Sequence, residues 1–149
     1  MATIRLPIDF KEFLKLLNSE KVDYLLVGGY AVGVHGYPRS TADLDVWVDV
    51  GEENATRLAR VLEQFGFSSN SVLAADLLRE GRILRMGIAP IRIEVITRAS
   101  GVSFHECYAA RVVTQIDGVE VNVINLDHLK ANKRAAGRPK DLADLDYLP

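Results

Sequence analysis

Val27 to Asp49 reads VGGYAVGVHGYPRSTADLDVWVD, and this stretch decides the fold. Just before it, Tyr24 to Val27 is a short apolar run, which predicts a buried strand entering the Gly28-Gly29 turn. Glycine lacks a Cβ, so backbone amides at such a turn can approach a ligand closely. Tyr30 to His35 predicts a short helix closed by Gly36 and Pro38. Residues 43 to 49 then alternate: Leu44, Val46 and Val48 face one side, and Asp43, Asp45, Trp47 and Asp49 the other. Two carboxylates at i and i+2 on one strand face repel each other unless a cation lies between them. A hard divalent ion, Mg²⁺ or Mn²⁺, suits such a pair and leaves coordination sites for phosphate oxygens.

Working outward, Asp9 to Glu20 predicts a helix with Phe10, Phe13, Leu14 and Leu17 on one stripe, and Glu52 to Phe65 a second with Ala55, Leu58, Ala59 and Leu62. Val72 to Arg79 predicts a third, short one. Arg82 to Met86 and Ile91 to Thr97 read as strands. Val112 to Ile116 and Val119 to Ile124 flank Asp117-Gly118, a hairpin signal. Leu126 to Ala136 predicts a helix capped by Asn125 and closed by Gly137, and Pro139 opens a last helix through Leu148. The expected architecture is α+β, a mixed, twisted sheet flanked by helices. No repeat or linker breaks the chain, so residues 1–149 are expected to form one domain.

Composition narrows the function classes. Eighteen basic against twenty acidic residues give a net charge of −2, which excludes a global polyanion-binding surface and makes local charge decisive. The strongest local asymmetry is 130–140, where Lys130, Lys133, Arg134, Arg138 and Lys140 occur with no acid among them. No run of about 18 apolar residues suggests a membrane span, and the first residues do not resemble a signal peptide. The single cysteine, Cys107, is consistent with a reducing compartment, so a cytoplasmic protein is expected. His105-Glu106-Cys107 lacks a second pair at zinc spacing. His35 and Trp47 are expected to serve packing.

The pattern of Val27, Gly28, Gly29, a thirteen-residue spacer, then Asp43, Leu44, Asp45 and Val46 resembles the signature of the nucleotidyltransferase superfamily that shares the DNA polymerase β fold. Gly28-Gly29-Tyr30-Ala31, His35-Gly36, Arg39-x-Thr41, Asp43-Leu44-Asp45 and the tail Lys133 to Leu145 together resemble the minimal bacterial nucleotidyltransferases of the AbiEii/MenT toxin group. The resemblance spans nearly the whole chain. It implies transfer of a nucleoside monophosphate from a nucleoside triphosphate to an acceptor hydroxyl, with release of pyrophosphate. Asp43 and Asp45 would hold two Mg²⁺ (or Mn²⁺) ions. Glu94, where aspartate is the commoner family residue, would be the third acid, as general base and metal ligand. Gly28 and Gly29 would seat the triphosphate. Where the family allows serine after the first glycine this chain has Gly29, so backbone amides must serve there. Lys133 would touch the triphosphate, with Lys130, Arg138, Arg39 and Thr41 as further nucleotide contacts. The implied acceptor is an RNA, such as a tRNA end, or a protein, in a toxin–antitoxin setting. A homodimer or a partner such as a cognate antitoxin is expected to supply specificity. Two alternatives remain open at this point: a catalytically silent nucleotide-binding module, and transfer to a small molecule such as an antibiotic.

Overall fold

The computed structural model describes residues 4–39, 41–66, 77–88 and 91–149. Among these, six strands form one mixed sheet in the order β3-β4-β2-β1-β6-β5. The strands are β1 (Tyr24–Val27), β2 (Asp43–Val48), β3 (Ile83–Ile88), β4 (Ile91–Ile96), β5 (Val112–Ile116) and β6 (Val119–Val123). β2 lies antiparallel to β1 and parallel to β4, so the Asp-Leu-Asp strand is central and buried on both edges. β6 joins β1 in parallel, and β3 and β5 close the sheet as antiparallel edges. The helices are α1 (Ile8–Ser19), α2 (Gly28–Val34), α3 (Glu52–Gln64), α4 (Phe104–Ala109), α5 (Leu126–Ala136) and α6 (Pro139–Tyr147). This is the α+β architecture expected from the sequence.

The pleat of β2 sorts its residues as the alternation requires. Leu44, Val46 and Val48 are fully buried, joined in the core by Ile93 and Val95 of β4 and by Phe10, Phe13, Leu14 and Leu17 of α1. α1 packs on β6 and on α3, where Phe13 meets Phe65 edge-to-face at 5.3 Å. The opposite face of β2 carries Asp43, Asp45 and Trp47, and Trp47 stands edge-to-face on Phe104 of α4.

Local chemistry fixes the ends of the elements that border this second face. Asn125 caps α5 by accepting a hydrogen bond from the His128 amide at 2.8 Å. Gly137, left-handed at φ 65°, stops the helix. α6 starts at once from Pro139, with the Asp141 carboxylate accepting from the Arg138 amide.

Differences from the sequence reading are local. α2 starts at Gly28, two residues earlier than expected, because the glycines themselves form its first turn. α4 was not anticipated. The short helix expected from Val72 lies largely outside the described residues. No helix among the described residues is long and apolar enough to cross a membrane.

Candidate active site

Gly28 stands where β1 ends and turns over β2. Its φ of +69° lies in the left-handed region, and antiparallel pairing sets Val27 opposite Asp45. A Cβ at Gly28 would come within 2.1 Å of Asp45 Oδ2, and one at Gly29 within 2.6 Å of Thr41 Oγ1. Each glycine of the pair therefore clears a different side chain. The first leaves room for the carboxylate on β2, and the second for the loop leading into that strand.

Parallel pairing of β2 with β4 sets Glu94 opposite Asp45, and Arg92 opposite Asp43. Burial, and then the charge of Glu94 and the hydrogen bond shared with it, push the Asp45 carboxyl up to about 7. Asp43 adds to this repulsion and Lys140 opposes it. Asp45 is thus poised to hold a proton near neutrality, with Glu94 beside it. The outer arms of the acids meet arginines: Arg92 Nε lies 3.4 Å from Asp43 Oδ1, and Arg85 Nε donates to Glu94 Oε1 at 3.0 Å. Hard carboxylate oxygens suit a divalent ion such as Mg²⁺. Among the described residues, however, no three His, Cys, Asp or Glu side chains converge closely enough to hold one. Asp45 and Glu94 face each other across the paired strands, and Asp43, two residues back along β2, has one oxygen on Arg92.

The acids open into a cavity of about 640 Å³ whose lining includes Gly28, Asp43, Asp45, Glu94, Lys133 and Arg138. Arg82, Arg98 and Lys140 also line it, so carboxylates face a cationic wall. Lys133 differs from the expectation of an ammonium offered to phosphate. It is only 4% exposed, and its Nζ lies 3.1 Å from Asp141 Oδ1 and 3.0 Å from Asp144 Oδ2. Arg39 grips the same Asp144 with two hydrogen bonds of 2.8 and 2.9 Å, and Arg138 donates to Asp141 at 2.7 Å. Burial alone would raise Asp141 and Asp144. Hydrogen bonds from Arg138 and Lys133 to the first, and from Arg39 and Lys133 to the second, outweigh it and hold both below the usual carboxylate range. Gly29, Arg39 and Thr41 line an adjoining cavity of about 380 Å³. Lys130 lines neither cavity, and its Nζ donates to the Pro149 carbonyl.

A family model described as nucleotidyltransferase of unknown function (DUF6036) matches residues 6–147, almost the whole chain. The chain belongs to that nucleotidyltransferase family. The fold is also similar to the crystal structure of a Thermotoga maritima protein, TM1012, provisionally described as a nucleotidyltransferase. The TM-score is 0.62 at 18% identity, covering 92% of this chain and 88% of the other, a likeness of fold. No curated protein matches the chain.

In this nucleotidyltransferase family member, two cavity residues carry no sequence signal: Arg82 and Arg98 flank strands without belonging to any motif. What sets Arg82 is a side-chain clamp. Thr97, buried just after β4, accepts from the Arg82 amide at 2.8 Å and donates to the Arg79 carbonyl at 2.7 Å. His35 keeps to the packing role expected of it, with Nε2 2.7 Å from the Ile124 carbonyl.

Proposed function

We propose that the protein is a metal-dependent nucleotidyltransferase that moves a nucleoside monophosphate from a nucleoside triphosphate to an acceptor hydroxyl and releases pyrophosphate. The observation that carries this reading is the half-buried Asp45–Glu94 carboxyl pair on adjacent parallel strands, set beneath Gly28 and facing the cationic wall of one cavity. Asp43, Asp45 and Glu94 are the residues that would hold Mg²⁺ or Mn²⁺. When bound, such ions supply charge stabilisation to the attacking and leaving oxygens. Glu94 accepts the proton of the acceptor hydroxyl. Arg138 and Lys140, with Arg82 and Arg98 opposite, neutralise the triphosphate and the departing pyrophosphate. Lys133 serves from behind: through Asp141 and Asp144 it fixes α6, and with it Arg138 and Lys140 at the cavity. Gly28 and Gly29 keep the backbone open to the phosphates, and Arg39 and Thr41 brace the loop before β2.

RNA is the acceptor this reading favours, because Arg138, Lys140 and Arg98 are exposed at the cavity and Arg134 is exposed on α5. A protein acceptor, and a role resembling the AbiEii/MenT toxins with a cognate antitoxin, belong to the same proposal, as do a cytoplasmic setting and a homodimer. A second reading, a silent nucleotide-binding module, has one observation in its favour: Arg92 and Arg85 already pair with two of the three acids.

One experiment separates the two. Each α-labelled nucleoside triphosphate is incubated with the protein, Mg²⁺ or Mn²⁺, total RNA and cell protein, beside the Asp43→Ala/Asp45→Ala variant. Label in an RNA or protein band that falls by at least about a hundredfold in the variant supports transfer and names the acceptor class. Metal-dependent nucleotide binding with no label in any acceptor, small molecules included, supports the silent module.

A further inference from the structure

The acid cavity does not end at Glu94. Arg98 and Ala99 wall it on one side, and they also wall a second cavity of about 640 Å³. The two are lobes of one groove along the sheet face that carries Asp43 and Asp45. α5 overlooks both, giving Asn132 and Lys133 to the acid lobe and His128 and Ala131 to the second.

The second lobe has a different chemistry. Trp47 and Phe104, edge-to-face at 5.2 Å, form an aromatic wall. Arg98 is the one Arg or Lys in its described lining. Asp49 stands at the far end, its Oδ1 accepting from the Val50 amide at 2.9 Å. His128 also lines the lobe, and its Nδ1 is buried with no hydrogen-bond partner among the described residues. Glu80, His105 and Glu106 share the lining with these rings, so the lobe offers a planar heterocycle with polar edges an aromatic wall and a polar rim.

The strand supplies a ruler. Asp45, Trp47 and Asp49 follow one another at every second residue, so at about 3.3 Å per residue Trp47 lies ~7 Å and Asp49 ~13 Å along from Asp45. A ribose bridges a step of that order between a 5′-phosphate and its base. We infer that the second lobe seats the nucleobase of the nucleoside triphosphate whose phosphates occupy the acid lobe. This rests on the transfer reading above. The Asp49 carboxylate accepts from an exocyclic amine, so adenine, cytosine or guanine fits the lobe better than uracil.

Titration calorimetry of the full chain with Mg²⁺ compares each nucleoside triphosphate with inorganic tripolyphosphate, which fills the acid lobe alone. Emission of Trp47, the chain's single tryptophan, is followed in the same titrations. The expected result is nucleotide binding at least about tenfold tighter than tripolyphosphate binding, weakest for uridine triphosphate, with Trp47 emission altered by nucleotides only. Ala131→Phe fills the lobe from α5 and is expected to weaken nucleotide binding about tenfold while tripolyphosphate stays within about twofold. Ser103→Phe fills it from the exposed rim and serves if the helical variant does not fold. Equal binding of nucleotide and tripolyphosphate, an unmoved Trp47, or nucleotide affinity unchanged in a folded filled variant overturns the assignment and leaves the transfer reading standing. Failure of both ligands to bind overturns the two together.

Discussion

At Gly28 one methyl group separates an open cleft from a blocked one. The residue combines φ +69° with a position where a Cβ would sit 2.1 Å from Asp45 Oδ2, so strain and collision act together. Gly28→Ala is expected to lower stability by about 1–3 kcal/mol and to displace the Asp45 carboxylate, and transfer should fall further than the folded fraction does. Urea unfolding beside initial rates separates the two effects. Asp45 itself makes a prediction with a definite sign. Its carboxyl is near the ordinary value of 3.8 when unfolded and near 7 when folded, raised by burial first and by Glu94 second. Between those values the folded chain binds more protons than the unfolded chain, so stability falls as pH rises through that window. Asp45→Asn removes this penalty. In chelator, the variant should exceed wild type at pH 8 by no more than about 4 kcal/mol, and the advantage should vanish near pH 4. A difference between the two that does not change across that range would show that Asp45 titrates as an ordinary carboxylate.

At the scale of elements, the joint between α5 and α6 is a chain of charges: Arg39, Asp144, Lys133, Asp141 and Arg138. Its centre is buried, so removing Lys133 leaves two carboxylates facing each other without their shared cation. Lys133→Met is expected to cost about 3 kcal/mol or more, measured as a shift of the denaturant midpoint at neutral pH. Asp141 and Asp144 are held below the usual carboxylate range, so the stability they add is present above their unfolded pKa and lost as pH falls through the folded value. In Lys133→Met that loss should begin at higher pH. This joint also marks where sequence reading stops. Period-two alternation made β2 legible, Asp117-Gly118 the β5–β6 hairpin, and Asn125 with Gly137 both ends of α5, because each signal is local. α4 left no such signal: in six residues only Phe104 and Cys107 are buried, too few to form a stripe. α2 looked shorter because glycine is a poor helix former, yet clearance over Asp45 and Thr41 sets its start. Asp43 and Asp45 shared a face by spacing alone. That Glu94 falls opposite Asp45 depends on β4 lying parallel beside β2 in a given register, which no local pattern encodes. The burial of Lys133 was equally hidden: it sits in a basic run, and its partners lie eight and eleven residues later on the next helix.

For the whole molecule, the net charge of −2 conceals a division of labour. The sheet contributes acids, while α5, α6 and the ends of β3 and β4 contribute cations, and folding sets them across one cavity. These groups span residues 43 to 140, so the unfolded chain holds no comparable site. A ligand of the cavity therefore binds the folded state alone and stabilises it by mass action. At a hundred times its dissociation constant, a magnesium–nucleoside triphosphate complex should add about 2.7 kcal/mol. In a chain of this length each kcal/mol raises the melting temperature by roughly 2–4 °C, so a rise of about 5–10 °C is expected in scanning calorimetry. Asp43→Ala/Asp45→Ala sharpens the test. Relief of carboxylate repulsion should raise its own melting temperature without ligand, yet added nucleotide and Mg²⁺ should raise it little further. An equal ligand shift in wild type and variant would place nucleotide binding away from the acids and detach them from the function proposed for them.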